Sequence, residues 1–92
     1  MAKFLMLGRY SYEAIKGISK DRTKKVTDAI KSAGGSVNSM YAVLGGYDLV
    51  FLVDFPGNAE AIKASVAITK LTGIGFRTFP CITVDDFDKL VG

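Results

Sequence analysis

An aspartate follows a glycine pair and a tyrosine in the stretch LGGYDLVFLVDF, directly before one of the most apolar runs of the chain. The simplest role for Asp48 is structural. Its carboxylate would accept N–H groups of a tight turn at Gly45 and Gly46, as aspartate commonly does beside turns, and so fix the register of a hairpin. The alternative is a pocket acid at a subunit junction, paired with a basic residue such as Arg9 or Arg77. The turn role is our prediction, and the pocket acid stays open as the second hypothesis.

The four tyrosines could also contact a ligand, because each combines an apolar ring with a polar hydroxyl and can line a cavity between sheet and helices. Ordinary packing in the core or at an interface is the competing interpretation of the same residues. The two arginines would end the first strand and begin the last, and their register decides whether they meet at one end of the sheet. The tyrosines are Tyr10, Tyr12, Tyr41 and Tyr47. The candidate ligand-binding residues are Asp48, Tyr47, Tyr10, Tyr41, Arg9 and Arg77.

The chain has no histidine and a single cysteine, and this removes whole classes of chemistry. One chain cannot assemble a structural zinc site, a histidine-ligated haem is excluded, and so is every triad that uses imidazole. Cys81 is best interpreted as a small buried hydrophobic residue, since a catalytic thiol would want a neighbouring base. The sequence therefore predicts no metal site, no cofactor and no identifiable catalytic residue.

Length and charge point to one small domain over residues 1–92, with 49% hydrophobic and 23% charged residues. The net charge is +3, and six of the basic residues lie between Ser11 and Gly34. This basic segment lacks interleaved aromatic residues and is narrow for a nucleic-acid footprint, which favours a solvated helix face. The apolar run Phe4–Leu7 is too short for a signal peptide or a membrane span, so we expect a cytoplasmic protein.

Hydrophobic periodicity predicts the element order strand, helix, strand, strand, helix, strand. With right-handed crossovers, this order gives the α+β, ferredoxin-like βαββαβ fold: a four-stranded antiparallel sheet in the order 4-1-3-2 with two helices on one face. Pro80 agrees with this topology, because proline belongs on an edge strand and the fourth strand is an edge. The predicted strands are Lys3–Arg9, Ser36–Leu44, Tyr47–Phe55 and Phe76–Val84. The predicted helices are a short one capped by Ser11, a main one over Lys20–Ala33, a second over Asn58–Leu71, and an acid-capped terminal turn over Asp85–Leu90.

The third strand carries apolar residues on both of its faces, because Phe51 and Val53 alternate with Val50 and Leu52. The neighbouring strands repeat the pattern, with Phe4 and Met6 opposite Leu5 and Leu7, and Ile82 and Val84 opposite Phe79 and Cys81. The two helices can cover only one face, and a bare second face would exceed the roughly 300–600 Å² apolar patch of a typical monomer. A second copy is therefore predicted to cover it, sheet against sheet, in a homodimer or higher homo-oligomer.

The segment YAVLGGYDLVFLVDFPGNAEA, followed by GIGFRTFPCITVDDF, resembles the GYD domain family, named for the tripeptide present here as Gly46-Tyr47-Asp48. The match covers nearly the whole chain, including the opening RYSYEAIK. The resemblance implies the dimeric α/β-barrel superfamily and no particular reaction. The same hairpin is similar to the ligand-binding domain of leucine-responsive (Lrp/AsnC-type) regulators, which suggests a small molecule bound between subunits, although the chain has no room for their helix-turn-helix.

Three hypotheses for function follow. The leading one is a cytoplasmic homo-oligomer that binds a small molecule within or between its subunits, as a sensor, carrier or accessory protein. The others are a cofactor-independent enzyme of the dimeric α/β-barrel type, such as a monooxygenase or isomerase, and a structural assembly module without a ligand. A polar cavity of about 300–1,000 Å³ between helices and sheet would favour ligand binding or catalysis there. A packed interior would favour the subunit junction or the structural module.

Overall fold

Four strands and four helices make up the computed structural model, which describes all residues from Met1 to Gly92. The strands are β1 (Ala2–Arg9), β2 (Ser36–Ala42), β3 (Leu49–Phe55) and β4 (Gly75–Cys81). The helices are α1 (Tyr12–Lys16), α2 (Lys20–Ser32), α3 (Asn58–Thr72) and α4 (Val84–Val91). No helix combines the length and the hydropathy that crossing a bilayer requires.

The four strands form one antiparallel sheet in the order β2-β3-β1-β4, which is the predicted order in reverse. The ferredoxin-like α+β fold is therefore confirmed. The two most apolar strands, β1 and β3, are central, and Pro80 lies on the edge strand β4, opposite Phe4. A bulge between Val37 and Ser39 interrupts the pairing of β2 with β3 at the other edge.

The hydrophobic core lies between one face of the sheet and helices α2 and α3. We call this side the helix face. The large side chains of β3, Phe51 and Phe55, are at most 1% exposed. The ring of Phe55 meets that of Phe4 edge-on, with centroids 5.7 Å apart, an arrangement that aromatic pairs prefer. Helix α3 contributes small residues, Ala61 and Ala64, which let its backbone approach the sheet closely.

Side-chain caps define where three of the helices begin. Ser11 accepts the N–H of Ala14 at 3.0 Å and starts α1, as its position predicts, and Ser19 caps α2 in the same way. Helix α3 ends at Gly73, whose left-handed φ of 77° suits glycine. Helix α4 is capped by the hydroxyl of Thr83 rather than by an acid, so this part of the prediction was wrong.

The predicted tight turn between the second and third strands was also wrong. Strand β2 ends at Ala42 and β3 begins at Leu49, so six residues connect them. The connection is closed by a hydrogen bond of 2.9 Å from the N–H of Val43 to the carbonyl of Asp48. Gly45, at the tip of this loop, has a φ of 126°, which a residue with a side chain rarely adopts.

The last strand is shorter than predicted. Strand β4 ends at Cys81, Ile82 lies beyond it, and Val84 already belongs to α4. The predicted alternation of Ile82 and Val84 with Phe79 and Cys81 along one strand was therefore wrong beyond Cys81. The cause is the cap at Thr83, which starts a helix where the apolar residues alone favour a strand.

Candidate functional site

The second face of the sheet, which we call the open face, is apolar at its centre. The strand register places Leu5 between Leu52 and Phe79, and Leu7 beside Val50, so these side chains share one surface. Helices α2 and α3 pack on the opposite side, and no residue of α4 is buried. Phe79 is 46% exposed, whereas Phe51 on the helix face is 1% exposed. The open face comprises Leu5, Leu7, Tyr41, Val50, Leu52 and Phe79.

A polar cluster closes one end of the open face. The ammonium of Lys3 lies 3.5 Å from a carboxylate oxygen of Asp54, and the side-chain amide of Asn38 donates to the other oxygen at 3.1 Å. Cys81 is opposite Lys3 in the register and is half-buried, with a free thiol. This cluster was not predicted from the sequence. The available signal was the pair of charged residues at matching ends of two apolar strands.

Two arginines and a tyrosine lie at the other end. Arg77 is opposite Leu7 and Arg9 is opposite Gly75 in the register of β1 and β4. Both side chains therefore point to the open face, and the two arginines lie at the same end of the sheet. With Tyr47 they border a cleft of about 260 Å³. We call it the arginine cleft, and its lining residues are Leu7, Arg9, Tyr47, Gly75, Phe76 and Arg77.

Asp48 joins the end of β1 to the loop between β2 and β3. Its carboxylate accepts the backbone N–H of Tyr10 at 2.8 Å, and its own N–H donates to the carbonyl of Gly8 at 2.8 Å. Its carbonyl accepts from Val43, as described above. The carboxylate thus binds the residue after β1 and not the glycine turn, so the predicted hydrogen-bond partner was wrong. No ion pair joins it to Arg9 or Arg77.

Two of the candidate tyrosines lie away from the arginine cleft. Tyr10 lines a cavity of about 150 Å³ beneath the start of α2, together with Arg22. Tyr41 borders the same cavity at the edge of the sheet, although its pairing with Val50 assigns its side chain to the open face. The guanidinium of Arg22 lies 5.3 Å from the centre of the Tyr10 ring and donates to the carbonyl of Ala14. Arg22 was not predicted as a site residue from the sequence; the available signal was its position three residues after the capping Ser19.

The interior between helices and sheet is packed rather than hollow. The cavity beneath α2 is below the roughly 300–1,000 Å³ typical of ligand pockets. A groove of about 290 Å³ lies along α3 and β4, bordered by Ile62, Ser65 and Pro80. The core residues Phe51, Val53 and Ile68, which lie between the helices and the sheet, are each at most 1% exposed. By the criterion set from the sequence, this packing favours the subunit junction or the structural module.

The two side chains whose pKa values are shifted, Lys24 and Asp28, lie outside these sites, on the solvent side of α2. The ammonium of Lys24 donates to the carboxylate of Asp28 at 2.8 Å, one helical turn away. This hydrogen bond raises the pKa of Lys24 and lowers the pKa of Asp28. The pair therefore marks an ordinary solvated helix face.

Comparisons with solved structures find the same fold in much larger proteins. The crystal structure of the Mycobacterium tuberculosis leucine response regulatory protein LrpA superposes with a TM-score of 0.59 at 12% sequence identity, over 89% of this chain and 51% of that one. A second solved structure, of a point mutant, gives a TM-score of 0.58 at 12% identity, over 89% and 50%. The chain thus spans about half the length of these structures, and at this identity the likeness shows the fold alone.

A comparison of sequences gives the family directly. No curated protein sequence matches the chain significantly. The family model described as "GYD domain" matches residues 4–91. That interval contains the open face, the arginine cleft and Asp48, and it leaves out only Met1 to Lys3 and Gly92. The resemblance carried by the Gly46-Tyr47-Asp48 stretch is confirmed, and the chain belongs to the GYD domain family.

Proposed function

We propose that this protein self-associates through the open face and binds a small molecule at the junction between subunits, as a sensor, carrier or accessory protein. The observation that carries the proposal is the open face itself. A contiguous apolar surface rimmed by polar residues marks an interaction site on a soluble protein. Here the rim consists of the polar cluster around Asp54 at one end and the arginine cleft at the other.

A second copy of this chain is the partner that fits the surface. A two-fold interface uses the same patch on both subunits, so an apolar face can cover itself without any other protein. Full burial of a leucine or phenylalanine side chain from full exposure contributes about 1.5–3 kcal/mol. Leu5, Leu52 and Phe79 are already partly buried within one chain, so each would gain a part of that amount. This gain would add to the stability of a chain near the small end of domains that fold alone.

The junction is also where a ligand has room. The interior is packed, whereas clefts border the open face at both of its ends. LrpA, whose structure shares this fold, is a leucine response regulatory protein, and by analogy with it we propose a ligand-responsive role here. A reducing compartment such as the cytoplasm is the setting that we propose, because the single cysteine, Cys81, has no disulfide partner within the chain.

Replacing Leu52 by glutamate tests the assembly. A charge at the centre of a buried sheet interface is costly, so Leu52→Glu is expected to be monomeric in light scattering at micromolar concentration, while the wild type is a dimer or larger. Ile62→Glu is the matched control, since Ile62 is 63% exposed on α3 and its variant should assemble as the wild type does. A monomeric wild type would overturn the proposed assembly.

Native mass spectrometry tests the ligand. Protein purified from its natural source is expected to carry a bound small molecule in the oligomer, and the same preparation of Leu52→Glu is expected to have lost it. An oligomer that carries no added mass from its source, and that also fails to retain any compound from a metabolite extract, would favour the structural assembly module.

A further inference from the structure

We infer that the arginine cleft binds the oxyanion group of a small organic anion, a carboxylate or a phosphate, between the guanidinium groups of Arg9 and Arg77. This inference rests on the proposed function, because the cleft lies at the rim of the open face, and it names the chemical class of the ligand. Three separate features of the structure support it: the register of β1 and β4, the absence of an acidic partner for either arginine, and the open space beside Gly75.

The register places the two arginines at the same end of the same face. Arg9 is opposite Gly75, and Arg77 is two residues further along β4, so the arginines are diagonal neighbours on one face. Diagonal neighbours on adjacent strands lie about 7–8 Å apart, which long side chains can bridge. Two arginine side chains that start from backbone positions this far apart can converge on one anion placed between them.

Neither arginine has an acidic partner within the chain. The ion pairs of the molecule are Lys3 with Asp54, Lys16 with Glu13, and Lys24 with Asp28. Asp48 follows Tyr47 in the chain. One oxygen of its carboxylate accepts the N–H of Tyr10, and no ion pair joins the carboxylate to either arginine. Like charges on neighbouring strands repel, and an anion between them would remove that repulsion. Guanidinium groups match the planar geometry of carboxylates and phosphates, to which they donate two parallel hydrogen bonds.

The cleft has space for the rest of a small ligand. A Cβ built on Gly75 would meet no atom within 4 Å, so the position opposite Arg9 is open. Leu7 and the ring of Tyr47 provide apolar walls beside the charges. A second copy over the open face would exclude water from this rim, and the lower dielectric would strengthen the attraction between arginine and anion.

A titration followed by NMR on the isotope-labelled full chain tests the inference. Sodium succinate and inorganic phosphate are the two probes, and succinamide is the neutral control for the first. At least one anion is expected to shift the signals of Gly75 and of the Arg9 and Arg77 side chains in a saturable way, while succinamide does not. Saturation by succinate alone indicates a carboxylate ligand, and saturation by phosphate alone indicates a phosphate ligand.

Three variants locate the site. Arg77→Gln is expected to weaken binding by about tenfold or more, because it removes a charge-assisted hydrogen bond. Gly75→Val fills the cleft and is expected to abolish saturable binding; valine suits a strand, and Gly75 has no positive φ, so the fold should persist. Lys25→Gln removes an equal charge from the exposed face of α2 and should bind as the wild type does.

The inference is overturned if neither anion gives saturable shifts, or if Arg77→Gln and Lys25→Gln bind equally well. Light scattering on the same samples separates this result from the proposed assembly. An oligomeric wild type without saturable anion binding would contradict the cleft and leave the assembly standing. A monomeric wild type that binds an anion, and loses it in Gly75→Val, would support the cleft and contradict the assembly.

Discussion

The two faces of this sheet are built by the same strands and yet have different surroundings. In β3, Phe51 and Val53 point to the helix face and are at most 1% exposed, whereas Val50 and Leu52 point to the open face and are half-buried. The residue types are equally apolar on both sides. The apolar pattern thus predicts which residues are unfavourable in contact with water. The two packed helices cover only one face of the sheet, so the chain itself buries only the residues on that face.

The largest effect expected from this comparison is at Phe51. Phe51→Ala should lower the free energy of unfolding by about 3–5 kcal/mol, because it leaves a cavity against Phe76 and the helices. Leu52→Ala, one residue away on the open face, should lower it by less, with a loss that grows with protein concentration if a second copy covers the face. Urea denaturation at two protein concentrations measures both. Equal losses that do not depend on concentration would contradict the comparison.

Asp48 should give an intermediate effect, because it ties the end of β1 to the loop before β3. Asp48→Ala leaves the N–H of Tyr10 without its acceptor, and we expect a loss of about 1–3 kcal/mol in the free energy of unfolding. Asp48→Asn keeps an acceptor oxygen and should lose less. Faster hydrogen exchange at the Tyr10 amide in Asp48→Ala is the direct measurement. Unchanged exchange there would show that this hydrogen bond does not hold the loop in solution.

The smallest effect is expected at the solvated ion pair on α2. Lys24→Gln should raise the pKa of Asp28 toward its ordinary value, because the hydrogen bond from Lys24 is the main cause of the lowered pKa. Asp28 contributes stability above its unfolded pKa, and this contribution is lost as the pH falls through the lower folded pKa. Titration of the Asp28 carboxyl by NMR measures the change, and Lys25→Gln is the control. An Asp28 pKa that is the same in all three proteins would contradict the assignment.

The fold was predictable because its signals are spread over many residues. Alternation along β1 and β3, the periodicity of α2 and the edge position of Pro80 all favour the same topology. The loop after β2 was not predictable from Gly45 and Gly46, since the backbone of Asp48 pairs with Gly8 on a distant strand. A contact between residues forty positions apart overrides a local turn preference.

The candidate site was predictable only in its residue types. Arg9 and Arg77 stand out in the sequence as charges at strand ends, but their meeting at one end of the sheet depends on the register between β1 and β4. The role of Asp48 depends in the same way on the position of Tyr10. The start of α4 was predictable from the sequence, because Thr83 is followed three residues later by Asp86, a spacing typical of a helix N-terminus.

The irregularities at the two sheet edges have a consequence for how copies of this chain can add to one another. Pro80, on the edge strand β4, has no N–H group to donate, and the bulge between Val37 and Ser39 breaks the regular spacing of donors and acceptors along β2. Both edges are therefore poor templates for a further strand. Growth by edge-to-edge pairing, which leads to open-ended fibres, is therefore disfavoured. The exposed apolar surface of the sheet that remains is the open face, and a pairing of two copies through it would leave none of that face free to extend an assembly.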